Sequence, residues 1–186
     1  MNAIAARVDP LLPPYHPEVQ AVFDRLMPPG VPPLRLFTTL ARVPRTFERL
    51  RAAALLDAGP LSLRFREIVI HRTCARCGCA YEWGVHAAFF AQRAALTPDQ
   101  LSATLHGDGE TSVWTDEESL LIRVVDELYD SADISDELWG EVATCFSTEQ
   151  IFEVIALTGY YHTVSFFSNA MRLAPEAFGV PFPESR

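Results

Sequence analysis

Three times in this chain a Ser or Thr stands three residues ahead of a Glu or Gln, directly before an apolar run: Thr97 with Gln100, Thr115 with Glu118, and Ser147 with Gln150. The first N–H groups of a helix have no partner inside it. A hydroxyl that accepts from the third residue, answered by a side chain reaching back, satisfies two of them. Each pair therefore marks a helix start. The runs that follow, "DQLSATLHG", "EESLLIRVVDELYDS" and "TEQIFEVIALTGYYHTVSFFSNAMRL", repeat apolar residues every three or four positions. Upstream, "LRLFTTLA" reads as a short helix. Pro44 opens another through "RTFERLRAAALLDAG", which Gly59 and Pro60 are expected to end, and "LSLRFREIVIHRT" continues the pattern. Strand signals, such as alternating Val, Thr or Tyr bounded by Asn-Gly or Asp-Gly, do not occur. The fold class is all-α. A chain of 186 residues, 49% of them hydrophobic, has enough apolar material for one domain with a sizeable core.

Eight of the fourteen prolines fall within the first 33 residues. They predict an extended, proline-rich arm over 1–33 ahead of a helical domain over 34–186. Leu11, Leu12, Val22, Phe23 and Leu26 are too apolar for a free tail, so the arm should wrap its own domain or a neighbouring subunit. The last helix is apolar around most of its circumference, which also points to a homo-oligomer. A net charge of −9 argues against nucleic acid as a partner. Neither a signal peptide nor a membrane span is legible, so a cytoplasmic location with reduced thiols is expected. Under those conditions Cys145, alone in "VATCFS", reads as a small core residue.

The window 71–90, "HRTCARCGCAYEWGVHAAFF", holds three of the four cysteines, two of the five histidines and one glutamate. In a helix through "CAYEWGVH", Cys79, Glu82 and His86 project within an arc of roughly 60°. The preceding helix places Glu67, His71 and Cys74 on one face at the same kind of spacing. A break at "TCARCG" lets the two helices pack across each other. Carboxyl and imidazole groups buried together have their pKa values moved, as proton transfer near neutral pH requires. Cys79, in a first helical turn, would find its thiolate stabilised by free N–H groups. The bland alternative pairs Glu67 and Glu82 with Arg64 or Arg72 and leaves the histidines as satisfied core groups. Cys74 and Cys77 have the spacing of a zinc knuckle, but a second separated pair is missing, so neither a metal nor a cofactor is expected. Tyr160, Tyr161 and His162 on the last helix are further candidates for the neighbourhood of this pocket.

The run "FREIVIHRTCARCGCAYEWGVH" resembles the signature of the carboxymuconolactone decarboxylase family, which includes the alkyl hydroperoxidase D-like proteins. The matching positions are Glu67, Cys79, Glu82 and His86, and the likeness in helix pattern extends from about Leu34 to Met171. The resemblance implies an all-helical bundle assembled as a trimer or hexamer, and it makes those four residues the catalytic candidates. Cys74, Cys77, His71, Tyr81 and His162 are redox or accessory candidates. One departure matters. In peroxidase-type members both cysteines of a C-x-x-C are present and the second attacks the hydroperoxide, whereas the second position here is Glu82, which cannot become a sulfenic acid. The leading expectation is acid–base chemistry on a small organic acid or lactone, with Glu67 and His86 moving protons, Glu82 assisting and Cys79 beside the substrate. The alternative is a thiol peroxidase with Cys79 attacking, Cys74 or Cys77 resolving and a dithiol as reductant. A non-catalytic oligomeric binding protein is the third reading.

Overall fold

A computed structural model describes residues 5–107 and 112–183; the first four residues of the expected arm lie outside them. All regular structure among the described residues is helical: α1 (Pro17–Leu26), α2 (Arg35–Leu40), α3 (Pro44–Ala52), α4 (Leu63–Arg76), α5 (Ala80–Phe90), α6 (Pro98–His106), α7 (Asp116–Ser131), α8 (Asp136–Cys145) and α9 (Thr148–Met171). The three capping boxes stand at the starts of α6, α7 and α9, each with both reciprocal bonds formed. Ser62 caps α4 by accepting from the Phe65 N–H.

The spine is α4, with α5, α6, α7 and α9 packed around it. Residues Arg66 to Cys74 are all buried, so this helix has no solvent face, and its polar groups must find partners inside. The expected break after it is a Schellman turn. Gly78 takes φ +59, its N–H bonds the Ala75 carbonyl at 3.0 Å, and the Cys79 N–H bonds the Cys74 carbonyl at 2.8 Å. Gly78 meets the left-handed requirement without a Cβ penalty. The chain reverses there, and α5 packs back on α4.

Three local expectations differ from the fold. The N-terminal stretch is not extended throughout, because α1 forms within it. Pro17 occupies the first turn, where a missing N–H costs nothing. This stretch lies on its own domain: Phe23 is buried against Tyr15 and Phe47, and the N–H groups of Arg7 and Leu11 bond the carbonyls of Met171 and Thr38. Helix α3 stops at Ala52 rather than near Gly59. Beyond it, the Arg66 guanidinium donates to the Leu56 carbonyl at 2.9 Å, so a distant side chain satisfies a backbone group of the loop. Helix α8 was not anticipated, although Ser135 followed by Asp136 and Glu137 is a start signal. Cys145 closes α8 and is exposed, contrary to the expected core position, because α8 packs inward through Leu138 and Val142. Among the described residues no helix is long and apolar enough to cross a membrane.

Candidate active site

The arginines that could have neutralised the two glutamates are engaged elsewhere. Arg64 pairs with Glu118, and Arg72 holds both oxygens of Asp126 at 2.7 Å. Glu67 of α4 instead meets His86 of α5, with Oε2 at 2.8 Å from Nδ1. On the other side of the ring, Nε2 of His86 stands 3.4 Å from Oε1 of Glu82. Glu67 and Glu82 thus face the two nitrogens of one buried imidazole. Both nitrogens must carry hydrogen to satisfy both acids, which makes the ring an imidazolium. Burial opposes that charge, but the Glu67 carboxylate, reinforced by Glu82, outweighs it and raises the His86 pKa to about 9. Burial likewise pushes Glu67 up, yet the His86 charge and hydrogen bond win and hold its carboxyl below the ordinary range. Arg66 adds a second cation, 3.4 Å from Oε1 of Glu67.

His71 plays a different part. Its Nδ1 lies 2.7 Å from the Glu67 backbone carbonyl, and since a carbonyl only accepts, Nδ1 carries the proton. Burial and the nearby His86 charge depress its pKa to about 4, so it stays neutral. Its ring stands edge-on to Trp83 at 5.4 Å and to His86 at 6.2 Å. It walls the pair and carries no charge at neutral pH.

A cavity of about 380 Å³ opens beside this line. Its apolar walls come from α2, α3 and α9, including Leu36, Phe37, Phe47, Val164 and Phe167. Glu82 enters it together with Tyr160 and Tyr161, the latter standing edge-on to His86 at 5.0 Å. Arg51 and Asp57 also line it. The Oε2 atom of Glu82 is buried and has no hydrogen-bond partner. Glu82 is therefore the member of the line that belongs both to the imidazolium contact and to the cavity. Arg51, Asp57 and Arg66 carry no local signal, because no spacing rule connects α3 and the loop after it to a cavity walled by α9, or brings the Arg66 guanidinium to the carboxylate next to it in sequence.

The thiols behave contrary to the helix-terminus expectation. Cys79 is the N-cap of α5, but it is fully buried, and burial pushes its thiol up against the pull of the Glu82 backbone N–H. Cys74 is raised well above the ordinary thiol range, and half-buried Cys77 is raised too, in both cases chiefly by burial. Desolvation outweighs the helix dipole here. The buried hydroxyls of Ser165 and Ser168 sit against this group, and none of the three sulfurs walls the cavity. All four cysteines are free, and no group of three or more His, Cys, Asp or Glu among the described residues is arranged to hold a metal ion. His162 lies away from His86 and the cavity, stacked on Tyr129 at 5.5 Å and tilted against Phe166. Tyr81 is a structural tie. Its hydroxyl donates to Glu176 and accepts from the Leu36 N–H, and burial raises its pKa strongly.

Through Tyr81 the chain's last described segment is fastened across α5. The Val180 N–H bonds the Gly84 carbonyl at 3.1 Å, Phe182 stands edge-on to Trp83, and Phe178 meets Phe89. A Cβ on Gly84 would lie 2.3 Å from the Val180 carbonyl oxygen, so this close approach requires glycine. The helix that carries Glu82 and His86 is thus clamped from outside by a strap.

The buried charges make stability depend on pH. His86 holds its proton more tightly in the folded state. Its contribution is complete below pH 6.5 and is lost as the pH climbs through about 9, a total of roughly 3 kcal/mol. His71 acts in the opposite direction: below pH 6.5 the unfolded chain takes up a proton that the folded chain refuses until about pH 4, so stability falls as the pH drops across that window. Lowered Glu67 loses its own contribution at still lower pH. Urea midpoints should peak near pH 6.5 and fall on both sides, and His86→Gln should flatten the alkaline limb. A midpoint that rises steadily to pH 9 in the wild type would contradict the assignment.

Residues 41–126 match the profile of the Carboxymuconolactone decarboxylase family. No curated protein matches the chain. Among solved structures, the fold is similar to the AhpD-core, uncharacterized peroxidase-related protein of Ralstonia eutropha JMP134, with a TM-score of 0.79 at 15% identity over 95% of this chain and 100% of the other. A peroxidase-related protein of Silicibacter sp. TM1040 gives 0.77 at 15% identity over 95% and 94%. A cysteine-to-alanine variant of the debrominase Bmp8 in complex with 2,3,4-tribromopyrrole gives 0.70 at 15% identity over 95% of both chains. The chain has the AhpD-like helical fold, and its residues 41–126 are similar to the carboxymuconolactone decarboxylase family.

Proposed function

We propose that this protein is an enzyme that moves a proton on a small molecule held in the cavity, with Glu82 exchanging the proton. The observation that carries the reading is the line Glu67, His86, Glu82, which ends at a carboxylate that lines the cavity and has one oxygen, Oε2, without a hydrogen-bond partner. Glu82 takes a proton from the ligand and becomes neutral, leaving the ligand anion close to the His86 imidazolium. The same proton then returns to another ligand atom, so the carboxylate is regenerated. Glu67 holds the imidazolium in place and keeps it charged. The family match over residues 41–126 and the AhpD-like neighbours support enzymatic activity, and the Bmp8 debrominase in complex with 2,3,4-tribromopyrrole is a protein of this fold that binds a small ring compound. The thiol peroxidase reading is disfavoured by the buried, raised thiols and by Glu82 at the attacking position.

The test is turnover of a panel of lactones, enol acids and halogenated phenols or pyrroles by wild type and variants. Glu82→Gln and His86→Asn should each lower kcat/KM by about 10²-fold to 10⁴-fold, the usual worth of a positioned proton carrier. Cys79→Ser should stay within about tenfold, because the sulfur does not meet the cavity. Rapid hydroperoxide turnover with a dithiol reductant, abolished by Cys79→Ser, would overturn the proposal in favour of the peroxidase.

A further inference from the structure

We infer that the cavity takes a neutral, largely apolar ring compound that presents one protic group, such as a phenol, enol or azole N–H, to Glu82, and that it refuses carboxylates. The inference rests on Glu82 being the proton acceptor of the proposed reaction and adds the class of ligand.

Size sets the first limit. A dry apolar cavity of about 150 Å³ holds one benzene, so about 380 Å³ accommodates a substituted single ring or two fused rings. The walls set the second. Leu36, Phe37, Phe47, Val164 and Phe167 offer an apolar surface and aromatic faces, to which the rings of Tyr160 and Tyr161 are added.

The polar groups set the third. Glu82 has a buried oxygen without a partner, which a ligand N–H or O–H would satisfy and a ligand oxyanion would oppose. Asp57 adds a second acid to the lining. The His86 imidazolium cannot serve as an anion hole, because both of its N–H groups already face carboxylates. The one cation that lines the cavity among the described residues, Arg51, is paired with Glu48 at 2.6 Å. Its Nε is buried without a partner and can donate to a neutral acceptor elsewhere on the ligand, such as a carbonyl or ether oxygen. An incoming carboxylate would have to displace Glu48 and still lie among two acids.

Binding should be measured by titration calorimetry on the full-length wild type with three matched probes: 4-chlorophenol, chlorobenzene and 4-chlorobenzoate. The phenol should bind at least about tenfold tighter than chlorobenzene, and the benzoate at least about tenfold weaker than chlorobenzene. In Glu82→Gln the advantage of the phenol over chlorobenzene should shrink by about tenfold, while chlorobenzene affinity stays unchanged. Val164→Phe, which fills the cavity from α9, should weaken the phenol and chlorobenzene together by about tenfold or more, and this arm does not depend on Glu82. Equal affinity for the phenol and chlorobenzene in wild type, or tightest binding of the benzoate, overturns the ligand class. If the phenol preference holds and depends on Glu82, yet turnover of every panel compound is unchanged by Glu82→Gln, the ligand class stands and the proton-transfer reading falls.

Discussion

Gly84→Ala should destabilise the fold by about 3 kcal/mol, although the same change in an exposed helix would stabilise it by about 1 kcal/mol. The added methyl would stand 2.3 Å from the Val180 carbonyl oxygen, a backbone atom that cannot rotate away. The strap cannot yield cheaply either. Val180 donates to the Gly84 carbonyl, Phe182 covers the fully buried Trp83, and Glu176 accepts from Tyr81 and from the Arg35 N–H. Either the strap lifts, uncovering the aromatic rings it lies on, or α5 shifts with Glu82 and His86 on it. Urea midpoints measure the loss, and faster proteolytic cleavage within 173–183 would identify the lifted strap. Removing residues 174–186 in the Gly84→Ala background should cost much less than in wild type, because the two changes break the same contact. An alanine variant that is more stable than wild type would show that the strap does not bear on α5.

Glu67→Gln should lower stability by about 3 kcal/mol near neutral pH, the usual cost of removing one partner from a buried ion pair. The amide keeps the shape but leaves the His86 imidazolium with only the more distant Glu82, at 3.4 Å, and removes the carboxylate 3.4 Å from the Arg66 guanidinium. The His86 pKa should then fall well below about 9, because burial depresses it and only Glu82 is left to oppose that. This yields a readout that simple packing damage would not move: the imidazole titration followed by NMR. It also fixes the sign of the pH dependence. The deficit should be full near pH 6.5 and shrink as the pH rises past 9, where the wild-type ring has also lost its proton. An unchanged His86 titration in Glu67→Gln would remove Glu67 from its place as the residue that holds the charge.

Two features of the site were legible for local reasons. Thr97, Thr115 and Ser147 announced helix starts because a capping box is satisfied within four residues, and the boxes formed as read. The facing sets, Glu67 with His71 and Glu82 with His86, follow from helical periodicity plus a turn at Gly78. The misreadings share the opposite cause. Cys79 occupies the helix terminus that spacing assigned it, yet its thiol is raised, because burial under α9 acts on it more strongly than its own helix dipole. Glu82 was given an assisting role, and it became the cavity residue only because α2, α3 and α9 leave space on its side of His86. Gly84 is required by a segment almost a hundred positions later that comes within reach of it, which no local spacing encodes.

The sequence by itself determined the helical class, the positions of most helix starts and the identity of two polar faces, since these depend on hydrogen bonds and periodicities that close within a few residues. Only the tertiary structure decided which carboxylate holds His86 and which one faces the cavity, that His86 is charged while His71 is neutral, and that the thiols are suppressed. Those outcomes are set by desolvation and by charges brought close from distant parts of the chain, and at an effective interior dielectric a neighbour a few ångströms away outweighs anything encoded in local spacing.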